Sequence, residues 1–426
     1  EALKKGVKNV VVMDGRVPHS ILMELLTNEG AGTMFTEKRD MTIKEKDLNY
    51  IAGTYNRFPV VLSHGKGSKV YDENGKEYID MGSGIGVTSF GIADDKWQAA
   101  VSEQSAKLQH TSNLYYTEPC AVLAEKLCEK TGMSKVFFSN SGAEANECAI
   151  KAARKYARDT KSEDYYTIVT LRDSFHGRTL TTLAATGQDA FHKDFLPLTD
   201  GFCHIDPTVE ELRRIVDEKK VAAIMFELVR GEGGVLPLTK EFVAEMVKIA
   251  KERDILLIAD EVQVGNGRSG KLYSFMNFDF LPDIVTTAKG LGGGLPIGAT
   301  MLGEKVENTF APGLNGSTFG GNPVACAGAL NILSRIDDNL LASVMDKSDY
   351  IFSTLQGAKG IESVTGMGLM IGIKTVKPAK EIAMKCIERG VLVLTAHDKV
   401  RLLPALNIPF DLLVKAIDVL KEVCAE

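Results

Sequence analysis

Residues 135–158 read KVFFSNSGAEANECAIKAARKYAR, and their order decides the fold. A short apolar run, KVFFS, has strand length and β-forming side chains. Ser139, Asn140, Ser141 and Gly142 then supply turn chemistry. From Ala143 to Arg158 the alanines at 145, 149, 152 and 153, with Tyr156, recur near helical spacing, so one face of a helix can pack on a sheet. Strand, turn and helix form one unit of an α/β architecture. Further apolar runs follow at 166–171, 221–226, 255–259, 283–287 and 299–302, with a helical stretch at 240–253. Strands that alternate with helices predict a mainly parallel sheet covered on both faces.

Outward from this unit the pattern changes. Residues 97–315 hold the alternating segments and read as a large domain. Residues 316–426 read as a smaller α+β domain, with helices near 323–335 and 343–355, short strands near 361–374 and 391–394, and a closing helix at 409–422. Residues 41–96 contain a turn-rich piece at 67–81, where Asp72, Asn74 and Gly75 suit a hairpin, and are expected to pack with the small domain.

The chain has 426 residues, is 44% hydrophobic and carries a net charge of −6, enough for more than one packed core. Lys and Arg are scattered over a mildly acidic chain, which points to no nucleic acid and no anionic membrane as partner. No apolar run reaches the roughly 20 residues a spanning helix needs, and no signal peptide is visible. Seven cysteines lack CxxC spacing, which suits a reducing, cytoplasmic setting. Seven histidines make no ligand-spaced pair, and no metal is expected.

Chemistry gathers around two strand ends. In residues 283–294, DIVTTAKGLGGG, an apolar run leads to Lys289 and then to a glycine run. Apolar flanks disfavour the ammonium form and leave a usable amine, while the glycines admit close neighbours. Upstream, the run 255–259 ends in Asp260 and Glu261. A carboxylate there sits where open α/β sheets place ligands, although a helix cap would show the same residue. A lysine and a carboxylate on two strand ends match what pyridoxal phosphate needs at its aldehyde and its ring nitrogen. The backbone N–H groups of Gly142 and Ala143, at a helix N-terminus, form an anion site for its phosphate; an ordinary serine cap would look alike. Residues 316–322, GSTFGGN, offer the Ser317 and Thr318 hydroxyls. In residues 173–179, DSFHGRT, Phe175 can stack on a flat ring and Arg178 can clamp a carboxylate. His176 between them reads as structural when taken alone.

In this order SGAEAN, FHGRT, GEGG, DEVQ and TTAKGLGGG resemble the class III aminotransferases of the pyridoxal-phosphate fold type I, from about residue 50 to the C-terminus. Within that class the chain is most similar to the acetylornithine aminotransferase branch. The resemblance implies a large domain with a mainly parallel, seven-stranded sheet flanked by helices. It implies pyridoxal 5'-phosphate as cofactor, with Lys289 as the Schiff-base lysine and proton shuttle and Asp260 as partner of the ring nitrogen. Gln263 would stand near the phenolic oxygen, Val262 and Phe175 on the two ring faces, and Gly142 and Ala143 at the phosphate. Thr318 would bind the phosphate of the neighbouring subunit, with Ser317 beside it near substrate, so a homodimer with shared sites is implied. Arg178 would clamp the distal carboxylate. Glu232 and Arg401 would be a switch pair in which the glutamate masks the arginine until a dicarboxylate arrives.

The implied reaction is transamination between N-acetylornithine and 2-oxoglutarate, giving N-acetylglutamate 5-semialdehyde and glutamate, in arginine biosynthesis. Its rivals are another ω-aminotransferase acting on ornithine, succinylornithine or 4-aminobutyrate, an aminomutase or decarboxylase on the same scaffold, and a scaffold protein without activity. Two stretches depart from the family: residues 227–232 read ELVRGE for the usual EPVQGE, and residues 91–95 read GIADD for the usual GHxHP. These bear on substrate detail. Residues 1–40 are of another kind. VVMDGRVPHSILMELLTNEGAGT, at 11–33, resembles the C-terminal end of acetylglutamate kinase, with a strand, a turn at Asp14 and Gly15, a helix from near Pro18 and a glycine-rich close. A fused or adjoining kinase fragment is expected, with Met41 a natural start for the enzyme proper. That kinase acts two steps earlier in the same pathway.

Overall fold

Seven strands build the central sheet: β1 (Lys135–Ser139), β2 (Thr167–Leu171), β3 (Phe202–Ile205), β4 (Val221–Phe226), β5 (Leu256–Asp260), β6 (Ile284–Thr287) and β7 (Gly298–Leu302). Their order across the sheet is β1-β7-β6-β5-β4-β2-β3. From β6 to β3 every pairing is parallel, and β7 alone runs antiparallel to both its neighbours. Strands β4 to β7 are buried throughout, as a sheet covered on both faces requires. Each fully buried Val, Ile, Leu or Phe contributes on the order of 1.5–3 kcal/mol.

The computed structural model describes residues 2, 7, 9–26, 32–36 and 41–426. Contacts divide the chain into Glu1–Val61 and Leu62–Glu426. In the first unit, strands Asn9–Met13 and Gly32–Thr36 pair antiparallel, and a helix covers Ser20–Leu26. Most of the glycine-rich close expected there, residues 28–31, lies outside the described residues. A second helix, Ile43–Tyr50, starts with a capping box between Thr42 and Glu45.

In the second unit the helix after β1, here α1, runs Gly142–Thr160 and buries Ala145, Ala149, Ala152, Ala153 and Ala157. Small side chains on that face let it approach the sheet closely. The helix expected at 343–355 begins earlier, at Asp338, because the Asp337 side chain caps it by accepting the Leu340 N–H. Strands Ile361–Met367, Met370–Thr375, Lys399–Leu402 and Leu394–Ala396 form an antiparallel sheet. Val391–Leu392 pairs with Glu77–Asp80, which continues through Lys69–Asp72 to Leu62–Lys66. The helix Pro323–Arg335 buries Ala325, Cys326, Ala329, Ile332 and Leu333 in the core shared with the central sheet. No helix among the described residues is long and apolar enough to cross a membrane.

Candidate active site

The C-terminal ends of the parallel strands converge, as ligand sites in open α/β sheets do. Asp260 ends β5, and its register partner on β6 is Thr286, three residues before Lys289. Phe175 and Arg178 follow β2, and Glu227 follows β4. A cavity of about 400 Å³ opens there, lined by Gly142, Ala143, Phe175, Arg178, Asp260, Val262, Gln263 and Lys289. Eight of the twelve residues singled out from the sequence therefore share one cavity. A larger hollow, about 620 Å³, lies between helices 95–107, 118–131 and 323–335. None of those eight lines it, and we place the chemistry in the smaller cavity because the polar groups converge there.

Lys289 sits just past the end of β6 in a short 3₁₀ turn with φ +45°. A non-glycine residue in this left-handed region costs about 1–3 kcal/mol, and such strain gathers at functional sites. Its amine has no hydrogen-bond or ion-pair partner among the described residues. Burial lowers its pKa; Glu232, Asp260 and Glu227 oppose that shift and Arg401 adds to it. A lowered pKa favours the neutral amine, the form that acts as a base and a nucleophile.

Asp260, buried, faces the same cavity. Its Oδ2 accepts from Asn146 Nδ2 and lies against His176 Nδ1, both at 2.8 Å, and its Oδ1 accepts the Val262 N–H at 3.0 Å. These bonds fix the carboxylate. Asn146 also donates to the His176 carbonyl at 2.7 Å, tying α1 to the loop that carries Phe175. Glu227 clips that loop to the next turn: one carboxylate oxygen accepts the Phe175 N–H at 2.8 Å and the other the Gly231 N–H at 3.2 Å. Burial raises its pKa.

At the start of α1, Ser141 accepts the Glu144 N–H and Glu144 accepts the Asn140 N–H. The Gly142 and Ala143 N–H groups precede the first intrahelical bond and line the cavity. An anion placed there meets two donors and the positive end of the helix. Gly142 also leaves space: a Cβ on it would lie 2.6 Å from Val262 Cγ1.

Glu232 and Arg401 lie beside the cavity. Arg401 Nη1 donates to Glu232 Oε1 at 2.7 Å and to Gln263 Oε1 at 3.1 Å, and Gln263 Nε2 donates to Glu232 Oε1 at 3.3 Å. Burial raises the Glu232 pKa, but the charge and hydrogen bond of Arg401, with the Lys289 charge and the Gln263 hydrogen bond, outweigh it and hold the carboxyl below its ordinary value. Ser317 and Thr318 stand apart. The Ser317 hydroxyl accepts from Asn140 Nδ2 at 3.1 Å, which puts it one bond from the rim. Thr318 lines a separate cavity of about 280 Å³ with residues 110–113 and 115–117.

Asn146 and Glu227 were not singled out from the sequence, and His176 was read as structural. Their partners on Asp260 and Phe175 are far away along the chain. Only the position of His176 inside FHGRT could have marked it.

The donor set fits pyridoxal phosphate: an unpartnered amine, a buried carboxylate fixed by three donors, side chains for two ring faces, and free N–H groups at a helix start. Fold and site thus define a pyridoxal-phosphate-dependent transferase of fold type I. The family model for aminotransferase class III matches residues 50–424. The chain belongs to the class III aminotransferases. It is 47% identical to the acetylornithine aminotransferase of Haemophilus ducreyi (strain 35000HP / ATCC 700724), over 90% of this chain and 98% of that protein. It resembles the structure of N-acetylornithine aminotransferase from Stenotrophomonas maltophilia K279a, with TM-score 0.76 and 35% identity over 87% of this chain and 96% of that one. It also resembles the ornithine aminotransferase of Toxoplasma gondii whose structure reveals partial occupancy of PLP at the active site, with TM-score 0.86 and 30% identity over 90% and 94% of the two chains.

Proposed function

We propose that this aminotransferase moves the δ-amino group of N-acetylornithine to 2-oxoglutarate, giving N-acetylglutamate 5-semialdehyde and glutamate, as a cytoplasmic step of arginine biosynthesis. One observation carries the reading: an unpartnered Lys289 shares a cavity with the fixed Asp260 carboxylate, and a maskable Arg401 stands beside it. The high identity to acetylornithine aminotransferases favours this amine over ornithine, succinylornithine or 4-aminobutyrate.

Pyridoxal phosphate, when bound, supplies an aldehyde that exchanges amino groups and a ring that takes up electrons from the substrate carbon. The chain's own residues do the rest. Lys289 Nζ, with its lowered pKa, removes and returns the proton on the carbon that bears the amine. Asp260 holds a proton at the ring nitrogen, and Asn146 and His176 hold Asp260 in place. Phe175 and Val262 would take the two ring faces and exclude water. Gly142 and Ala143 would bind the phosphate, and Gln263 would stand near the phenolic oxygen. Arg178 receives the carboxylate distal to the reacting amine.

The two half-reactions bring different charges. Glutamate adds a carboxylate beside the reacting carbon, where N-acetylornithine has none. Arg401 paired with Glu232 is neutralised for the second and released for the first.

Thr318 lies away from its own chain's cavity. In a homodimer Thr318, with Ser317 beside it, would serve the neighbouring copy. Exposed Leu114, Tyr115, Tyr116 and Phe319 provide apolar surface for that contact. The division at 40/41, 96/97 and 315/316 belongs to the same reading, with residues 1–40 a kinase-derived piece outside the catalytic machinery.

The test is glutamate formation by the holoenzyme from 2-oxoglutarate and each of the four amines supplied singly. A kcat/KM for N-acetylornithine well above that for ornithine is the expected result. Preference for ornithine or 4-aminobutyrate would keep the chemistry and overturn the substrate.

A further inference from the structure

Arg178 makes no hydrogen bond and no ion pair among the described residues. It is nevertheless not without a support. Its guanidinium carbon lies 4.1 Å from the centroid of the Phe191 ring and 5.4 Å from that of Phe175. The two rings meet edge to face, with centroids 6.1 Å apart and planes at 79°. Both distances fall inside the roughly 6 Å within which a ring's negative face attracts a cation, and Phe191 is the closer platform.

Phe191 comes from a 3₁₀ turn, Asp189–Phe191, outside every motif that defines the site. That turn is pinned. Gln188 Nε2 donates to the Ser174 carbonyl at 2.9 Å, the Phe191 N–H bonds the Gln188 carbonyl at 3.0 Å, and His192 Nε2 meets the Leu183 carbonyl at 2.9 Å. The ring is therefore held over the loop that carries Phe175 and Arg178.

We propose that Phe191 is a positioning residue for substrate: its ring face holds the Arg178 guanidinium in place, with every N–H free for the substrate carboxylate. This rests on Arg178 being the carboxylate clamp. A free arginine has many rotamers and loses part of that freedom on binding. A carboxylate partner in the protein would also fix it, but would occupy the fork that substrate needs. An aromatic face fixes it without using a donor, so the site is preorganised and still empty of competitors. Phe175 cannot do this alone, because its ring also serves the cofactor. Arg178 thus differs in design from Arg401, which is held by a carboxylate and must be released.

The experiment compares holoenzyme carrying Phe191→Leu, Phe191→Tyr, Arg178→Ala and the Phe191→Leu/Arg178→Ala pair. It reads KM and kcat with N-acetylornithine and the Kd of glutarate, a dicarboxylate with no reacting group. Phe191→Leu should raise KM and the glutarate Kd by about three- to tenfold, the size of a cation–π contact, and leave kcat within about twofold. Phe191→Tyr should restore both constants, and Phe191→Leu should cost nothing further once Arg178 is alanine. Unchanged constants in Phe191→Leu, a fall in kcat at constant KM, or an equal loss in the Arg178→Ala background would overturn the proposal. If Arg178→Ala itself left KM unchanged, the clamp would be misassigned, and the role given to Phe191 would fall with it.

Discussion

Arg401 Nη1 sits 2.7 Å from Glu232 Oε1 and 3.1 Å from Gln263 Oε1, so one guanidinium nitrogen joins the antiparallel C-terminal sheet to the cavity edge. Arg401 is 3% exposed. An arginine that deep needs a partner, and in the proposed function that partner gives way to a substrate carboxylate.

Replacing Glu232 by alanine should therefore expose Arg401 permanently. Dicarboxylates should bind about tenfold more tightly, in line with one gained charge-assisted bond. The N-acetylornithine half-reaction should be inhibited by 2-oxoglutarate at lower concentration. Calorimetric titration with glutarate and inhibition kinetics check both; unchanged affinity would mean that Glu232 does not mask Arg401.

Gly142 is set against Val262, with a Cβ at 142 falling 2.6 Å from Cγ1 and 3.0 Å from Cγ2. Gly142→Ala should push Val262 into the space for the ring and weaken cofactor binding by about tenfold or more, the cost of an overpacked contact of 1–3 kcal/mol. Adding Val262→Ala should recover part of the loss. Equilibrium titration of apoenzyme with pyridoxal phosphate measures it, and loss without recovery would point to the phosphate contact instead of the steric one.

Glu261, next to Asp260, is turned away from the cavity and accepts from Ser274 N and Oγ and from Phe275 N. Burial nevertheless pushes its carboxyl up to about 7 from 4.5. The folded state then keeps this proton to higher pH than the unfolded chain does. Between about pH 4.5 and 7 the unfolded state binds fewer protons, so stability falls as pH rises and levels off above 7, by at most about 3 kcal/mol. Glu261→Gln should flatten that slope. It should also lower stability at every pH, because an amide nitrogen replaces one acceptor. Thermal unfolding of both proteins from pH 5 to 8 is the measurement, and parallel slopes would contradict the assignment.

The residues legible in the sequence are those whose role is written locally. Lys289 and Asp260 end apolar runs, and Gly142 opens a helix after a strand, so period and turn chemistry mark them. The strands of the sheet agree within a residue or so at most ends, with one exception. The edge strand Phe202–Ile205 was not expected, because three half-buried residues and one buried one give neither a long apolar run nor clean alternation. Asn146, Glu227 and Phe191 were illegible for a different reason. Asn146 reaches Asp260 across 114 positions, Glu227 reaches Phe175 across 52, and Phe191 meets Arg178 only because its turn is folded back. Roles made by tertiary contact leave no spacing to read. The proposed switch pair lies between these cases: Glu232 and Arg401 are 169 positions apart and are marked by family resemblance alone.

The central claim is that Lys289 carries the cofactor. Reducing the holoenzyme with borohydride fixes the cofactor to the nitrogen that holds it, and peptide mass spectrometry then locates the added mass. The account predicts that the label falls on Lys289, and that a Lys289→Ala protein, still able to bind pyridoxal phosphate, takes no label and turns over neither N-acetylornithine nor glutamate. Label on another lysine, or turnover by the Lys289→Ala protein, would contradict it.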